Sequence, residues 1–145
     1  MIIIRQDNFI EKDECDFFIN LFNNNIDKTE IFRDTITLRF IDNYIIKKVK
    51  ENFKLYNFDV EKIDTMQIVK WPTGSKMGLH KDHEGDKFSF IIYLNDDFEG
   101  GETIIDGVLI KPKKSRLVLF SNRLYEHEVK TITKGDRYTL IAWYK

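Results

Sequence analysis

His80 and Asp82 stand two residues apart at the end of the run MQIVKWPTGSKMGLHKD, residues 66–82. In an extended strand alternate side chains share a face, so this imidazole and carboxylate project together while Lys81 points away. Two His and one carboxylate with open positions left over form a donor set that suits non-haem Fe(II). The chain has three His, at 80, 83 and 127. His83 lies beside a turn, where exposure to solvent is expected, which leaves His127 as the candidate third ligand. Distant strands pair across an antiparallel sandwich, so the separation in sequence is no obstacle. A His-x-Asp triplet by itself arises often by chance. Its value rests on what accompanies it.

Arg137 is the next candidate. In GDRYTLIAWY, strand parity puts Arg137, Thr139, Ile141 and Trp143 on one face and Leu140, Ala142 and Tyr144 on the other. If the first face points inward, a guanidinium is buried with no acidic residue on its own face. Burying an unpaired charge is costly, and a bound dicarboxylate would resolve it through two parallel hydrogen bonds. If the face points outward, Arg137 is a solvated residue beside Asp136, and the strand alone leaves both readings open. Residues 87–94 pose a similar choice: Ser89, Ile91 and Tyr93 share one face, Phe88, Phe90 and Ile92 the other. With the Phe face under helices, Tyr93 points inward, where a buried phenol finds a partner.

The elements that must hold these groups follow from pattern. Residues 1–5 read as a first strand, and residues 11–22 as a helix with an apolar stripe through Phe18, Leu21 and Phe22. Acidic residues in its first turn suit the helix dipole. Asn23-Asn24-Asn25 ends it, Asn being tolerant of a left-handed cap. Residues 32–40 read as one strand and 44–56 as a second helix, with Ile45, Ile46, Val49, Phe53 and Tyr56 on one side. From residue 62 the segments become short, alternating and β-branched. Strands are expected near 63–71, 77–81, 87–94, 102–105, 108–110, 117–120, 127–131 and 137–144. The fold class is mainly β (α+β): a jelly roll, or double-stranded β-helix, of about eight strands with two N-terminal helices on one outer face. A single domain, 1–145, is expected, with 1–61 as helical support and 62–145 as the catalytic core.

Composition narrows the class. A chain of 145 residues with 42% hydrophobic and 14% aromatic content suits a packed globule that buries roughly two thirds of its unfolded surface. A net charge of −1 argues against a dedicated nucleic-acid binder. One cysteine, Cys15, excludes an internal disulfide and a thiol-only zinc site, and reads as a small buried hydrophobe. The apolar start MIII is too short for a signal peptide or membrane span. The expectation is therefore a soluble, intracellular, cytoplasmic protein with no membrane partner. Ile2-Ile3-Ile4 reads as a paired strand in preference to an exposed edge. Oligomeric state is not legible.

Taken in order, these motifs resemble a known family. The strand before WPTG, then GLHKD, FIIYLNDDFEGGET, GVLIKP, RLVLF, HEV and GDRYTLIAWY are similar to the prolyl 4-hydroxylase catalytic domain of the Fe(II)- and 2-oxoglutarate-dependent dioxygenases. The resemblance covers roughly residues 64–144, with a weaker match in the first helix. It implies that His80, Asp82 and His127 ligate Fe(II). Arg137 would pair with the far carboxylate of 2-oxoglutarate, with Tyr93, Thr139 and Trp143 lining that pocket. Trp71 stands where relatives often carry Tyr in a Y-x-x-G element; an indole can donate a hydrogen bond but is bulkier. O2 is then the oxidant and ascorbate a candidate reductant. Each ligand His should be neutral and should donate its other ring nitrogen to an acceptor. The implied activity is hydroxylation of a prolyl residue in a peptide or protein, releasing succinate and CO2. Hydroxylation of a free amino acid or other small molecule is an alternative, since the loops 73–76 and 83–86 are short. A non-catalytic jelly-roll binding module is another, although the intact triad with Arg137 favours the enzyme. A nucleic-acid demethylase would call for a second Arg beyond Arg137, and there is none.

Overall fold

The computed structural model describes residues 3–58, 60, 62–82 and 84–145, so the reading of His83 lies outside the described residues. Strand β1 (Ile3–Gln6) leads into helix α1 (Lys12–Asn23), then β2 (Glu30–Phe32), β3 (Thr35–Arg39) and helix α2 (Asn43–Leu55). The rest is β4 (Ile63–Trp71), β5 (Met77–His80), β6 (Phe88–Tyr93), β7 (Glu99–Gly100), β8 (Thr103–Ile105), β9 (Val108–Ile110), β10 (Leu117–Phe120), β11 (His127–Val129), β12 (Ile132–Lys134) and β13 (Arg137–Tyr144). The strands form a seven-stranded sheet, ordered β1-β10-β6-β13-β4-β3-β2, a four-stranded sheet, β5-β11-β8-β9, and a small pair, β12-β7. Every pairing is antiparallel.

Parity decides which face each strand offers. The even positions of β13 and β6, Leu140, Ala142, Tyr144, Phe90 and Ile92, pack against Phe18 and Phe22 of α1 and Ile45, Val49 and Phe53 of α2. The helices thus cover one face of the large sheet, as expected. The odd positions turn toward the four-stranded sheet. Ile91 and Tyr93, joined by Val118 and Phe120 of β10, meet Ile105 and Ile110 there. Val69 and Trp71 meet Val129 and Ile132.

Four expectations are corrected. Residues 32–40 are not one strand, because Arg33 adopts φ +53° and turns the chain into a β2–β3 hairpin. Residues 1–61 are not helical support alone, since β1, β2 and β3 all join the large sheet. Helix α1 ends without a left-handed cap: Asn24 keeps φ −82°, and the Asn25 side chain donates to the Leu21 carbonyl at 2.8 Å. The strand expected over 127–131 stops at Val129, and Ile132–Lys134 forms a separate strand on β7. Strand β1 is both paired, to β10, and the outer strand of its sheet. Helix α2 begins at an N-cap the pattern did not single out, Asp42, which accepts from the Ile45 amide at 2.9 Å.

Candidate metal centre and co-substrate pocket

Strands β5 and β11 are neighbours in the four-stranded sheet, and their register sets His127 directly opposite His80. The two rings lie 4.3 Å apart between centroids. Asp82 follows two residues after His80 and returns its carboxylate to the same side. His80 Nε2 and His127 Nε2 each stand 3.3 Å from Asp82 Oδ1. One donor atom from each of the three residues falls within 4.8 Å of the others. Three ligands therefore converge on one point, with the approach from the cleft left to other groups.

The orientations of the triad side chains suit a cation. His80 Nδ1 lies 2.7 Å from the Gly78 carbonyl. A carbonyl only accepts, so Nδ1 carries a proton, and Nε2 is the atom turned to Asp82 that a metal would take once deprotonated. His127 departs from expectation: among the described residues its buried Nδ1 has no hydrogen-bond partner, and its ring packs edge-on against Phe120 at 5.0 Å. The hydrogen bond with Asp82 raises the His80 pKa against the opposing effect of burial. Burial would push the Asp82 carboxyl up, but hydrogen bonds from His127, His80 and Trp143 hold it well below the ordinary carboxylate range.

The second half of the site lies on the large sheet. Arg137 opens β13 opposite Trp71 of β4 and is 1% exposed, so its face points inward. Nη2 donates to Thr103 Oγ1 at 3.0 Å, and the same oxygen is 2.7 Å from the Tyr93 hydroxyl. The guanidinium carbon lies 4.9 Å from the Trp71 ring centroid and 5.3 Å from that of Tyr93. Burial lowers its pKa, and among the described residues no carboxylate pairs with it. Arg137 Nε, Trp71 Nε1 and Thr139 Oγ1 are all buried without a partner among the described residues. Thr139 sits beside Tyr93 in register. Unsatisfied buried donors around an uncompensated cation are costly unless an anion with several acceptor oxygens joins them. A dicarboxylic keto acid has that character, so the residues present fit both the metal and the co-substrate.

Both halves open into one cleft of about 690 Å³, lined by the triad, Arg137, Thr139, Trp71 and Trp143, and bordered by Ile31, Phe32 and Arg33 of the β2–β3 hairpin. That is within the range of small-molecule sites. Trp143 lines the cleft and has a second contact. Its indole Nε1 donates to Asp82 Oδ2 at 2.9 Å, so it serves the triad as well as the cleft wall. Three residues were not anticipated. Thr103 links Tyr93 to Arg137, and Asn122 supports Ser89. Gly101, with φ +69°, makes room for Arg137: a Cβ there would lie 3.0 Å from its Cδ. The GGET run marked Gly101 and Thr103 only as a turn and a strand start.

A sequence profile of the 2OG-Fe(II) oxygenase superfamily matches residues 66–145, a span holding the triad and Arg137. The chain belongs to this superfamily. The family implies Fe(II), 2-oxoglutarate and O2. Prolyl 3-hydroxylase 2 of Homo sapiens is 40% identical over 65 residues, 39% of this chain and 9% of the relative's length. The Rattus norvegicus protein of that name is 38% identical over a match of the same length. The matched part is thus a small fraction of those proteins. Among solved structures, a Pseudomonas putida prolyl-4-hydroxylase superposes with a TM-score of 0.84 at 16% identity, covering 99% of this chain and 91% of its own. A Trichoplax adhaerens prolyl hydroxylase, solved with a peptide fragment of the hypoxia inducible factor oxygen degradation domain, gives 0.82 at 20% identity, over 98% of this chain and 82% of its own. At these identities the likeness is one of fold, and it agrees with the expected jelly roll.

Proposed function

We propose that this dioxygenase hydroxylates a prolyl residue of a peptide or protein, converting 2-oxoglutarate and O2 to succinate and CO2. One oxygen atom enters the substrate C–H bond and the other enters succinate. The observation that carries the reading is that the His80-Asp82-His127 triad and the buried, uncompensated Arg137 open into one cleft. The names of the relatives support the prolyl substrate.

Iron held by the triad, together with the keto acid, would supply the oxidising chemistry that no side chain here possesses. The chain's own groups have narrower tasks. His80 and His127 offer neutral Nε2 atoms, and Asp82 Oδ1 offsets part of the metal charge. Arg137 grips the far carboxylate of 2-oxoglutarate through charge-assisted hydrogen bonds, with Thr139 and the Trp71 N–H as further donors. Tyr93 and Thr103 keep the guanidinium aimed. Val69, Ile91 and Ile141 keep the wall between the two halves apolar, which limits water.

The test is turnover of 2-oxoglutarate with Fe(II) and O2 over proline-containing peptides, free proline and other free amino acids, with the added oxygen located by fragmentation mass spectrometry. Ascorbate as reductant belongs to the same proposal and is checked by its omission. Oxygen on a peptidyl proline is the expected result. Turnover with free amino acids and none with peptides would establish the small-molecule reading instead.

A further inference from the structure

Asp82 has two oxygens, and the structure treats them differently. Oδ1 faces both His Nε2 atoms at 3.3 Å. Oδ2 is turned toward the large sheet, where two donors take it. Ser89 Oγ donates to it at 3.1 Å, and Trp143 Nε1 donates at 2.9 Å. Ser89 is held in turn, because Asn122 Nδ2 donates to its Oγ at 2.8 Å. Ser89 and Asn122 are both buried, at 4% and 1% exposure. Ser89 and Trp143 are opposite one another in the β6–β13 register, so the two donors arrive from adjacent strands. Asp82 itself lies just beyond β5, in the other sheet's chain segment.

We propose that Ser89, Asn122 and Trp143 are positioning residues that restrict Asp82 to binding the metal through Oδ1 alone. Two hydrogen bonds saturate the lone pairs of Oδ2 that a chelating carboxylate would need. The consequence is arithmetic in the coordination shell. One atom from each of the three ligands leaves three positions of an octahedron open, two for a keto acid and one for O2. A carboxylate free to swing and bind through both oxygens would occupy one of them. The clamp also orders the carboxylate before the metal arrives, in the way hydrogen-bonded partners tune other metal ligands. Because Trp143 and Ser89 belong to the large sheet, they tie the triad to the sheet that carries Arg137. This inference rests on the proposed ligand set and is independent of which substrate is hydroxylated.

The experiment measures Mn(II) binding anaerobically by loss of the free-ion EPR signal, in the parent, Ser89→Ala, Trp143→Phe and Ser89→Thr, the last keeping the hydroxyl. The Co(II)-substituted proteins are compared by visible spectrum, and metal-free melting temperatures serve as the structural control. Ser89→Ala and Trp143→Phe are each expected to weaken Mn(II) about tenfold and to shift the Co(II) bands, with metal-free melting near that of the parent. Ser89→Thr should recover parental binding. Unchanged Mn(II) affinity and Co(II) bands in both variants would overturn the clamp while leaving the ligand set and proposed function intact. So would losses that follow the metal-free melting temperature. A parent that binds neither ion would overturn the ligand set itself, and its own titration shows that case.

Discussion

Replacing Arg137 with methionine separates its role in binding from its role in folding. The methionine stem still packs against Trp71 and Tyr93, and the variant no longer buries a charge. It loses one hydrogen bond to Thr103 and two ring contacts. These opposing effects leave the ligand-free variant melting within a few degrees of the parent. Binding is another matter. Two charge-assisted hydrogen bonds to a carboxylate contribute about 1.5–3 kcal/mol each, so affinity for 2-oxoglutarate should fall by about 10²–10⁴-fold. With Mn(II) in place of iron and the co-substrate at a hundred times the parent's Kd, the parent gains about 2.7 kcal/mol of stability. That corresponds to a rise of roughly 5–11 °C in melting temperature for a chain of this size. At the same concentration the variant gains no more than about 0.4 kcal/mol. The assay is a pair of anaerobic melting curves for each protein, with and without 2-oxoglutarate. A full ligand-induced rise in Arg137→Met would refute the assignment of this guanidinium as the anion anchor.

Gly101→Ala should destabilise by at least about 1–2 kcal/mol, since φ +69° disfavours any side chain, and should raise the Kd for 2-oxoglutarate by crowding Arg137; melting and titration read the two effects. Thr103→Val leaves the Tyr93 hydroxyl and Arg137 Nη2 without their shared partner, and is expected to cost about 1–3 kcal/mol in chemical denaturation. At the surface, hydrogen bonding to Arg116 holds Asp7 down at about 2 against an ordinary value of 3.8, with Lys113 assisting. A depressed carboxylate stabilises above its unfolded pKa and loses that contribution as pH falls through the folded one. Asp7→Asn should therefore cost under about 1 kcal/mol at pH 7, given the exposure of the pair, and the gap should close as pH falls from about 4 toward about 2.

Much of the site was legible because strand parity is a strict rule. Strand β13 presents Arg137, Thr139 and Trp143 together, whereas β5 ends at His80, so Asp82 reaches the same side from the segment beyond the strand and not by parity. What parity does not decide is which way a strand is turned, and that left Arg137 equally readable as buried or solvated. The Phe face of β6 gave the hint, since its register with β13 puts both apolar faces under the helices. Contacts between sheets were not legible. Nothing in a sequence says that Thr103 will reach Tyr93 and Arg137, because that depends on how one sheet lies over another, or that Asn122, just past β10, will turn back on Ser89 of the neighbouring β6. The β2–β3 turn escaped for a local reason. Arg33 takes a left-handed conformation that its side chain does not advertise, in a stretch with no Gly or Pro to mark it.

The cross-strand pairing of His80 with His127 has a mechanical corollary. Both imidazoles ride on one sheet, while Arg137, Thr139, Trp71 and Tyr93 ride on the other or its connections. The gap between metal and co-substrate anchor is therefore set in part by side chains packed between the sheets: Ile105, Ile110 and Val118 act as shims. Shaving a methyl group from a shim would alter alignment more than either affinity. The proposed reaction is thus open to tuning from positions that a survey of ligand contacts would pass over.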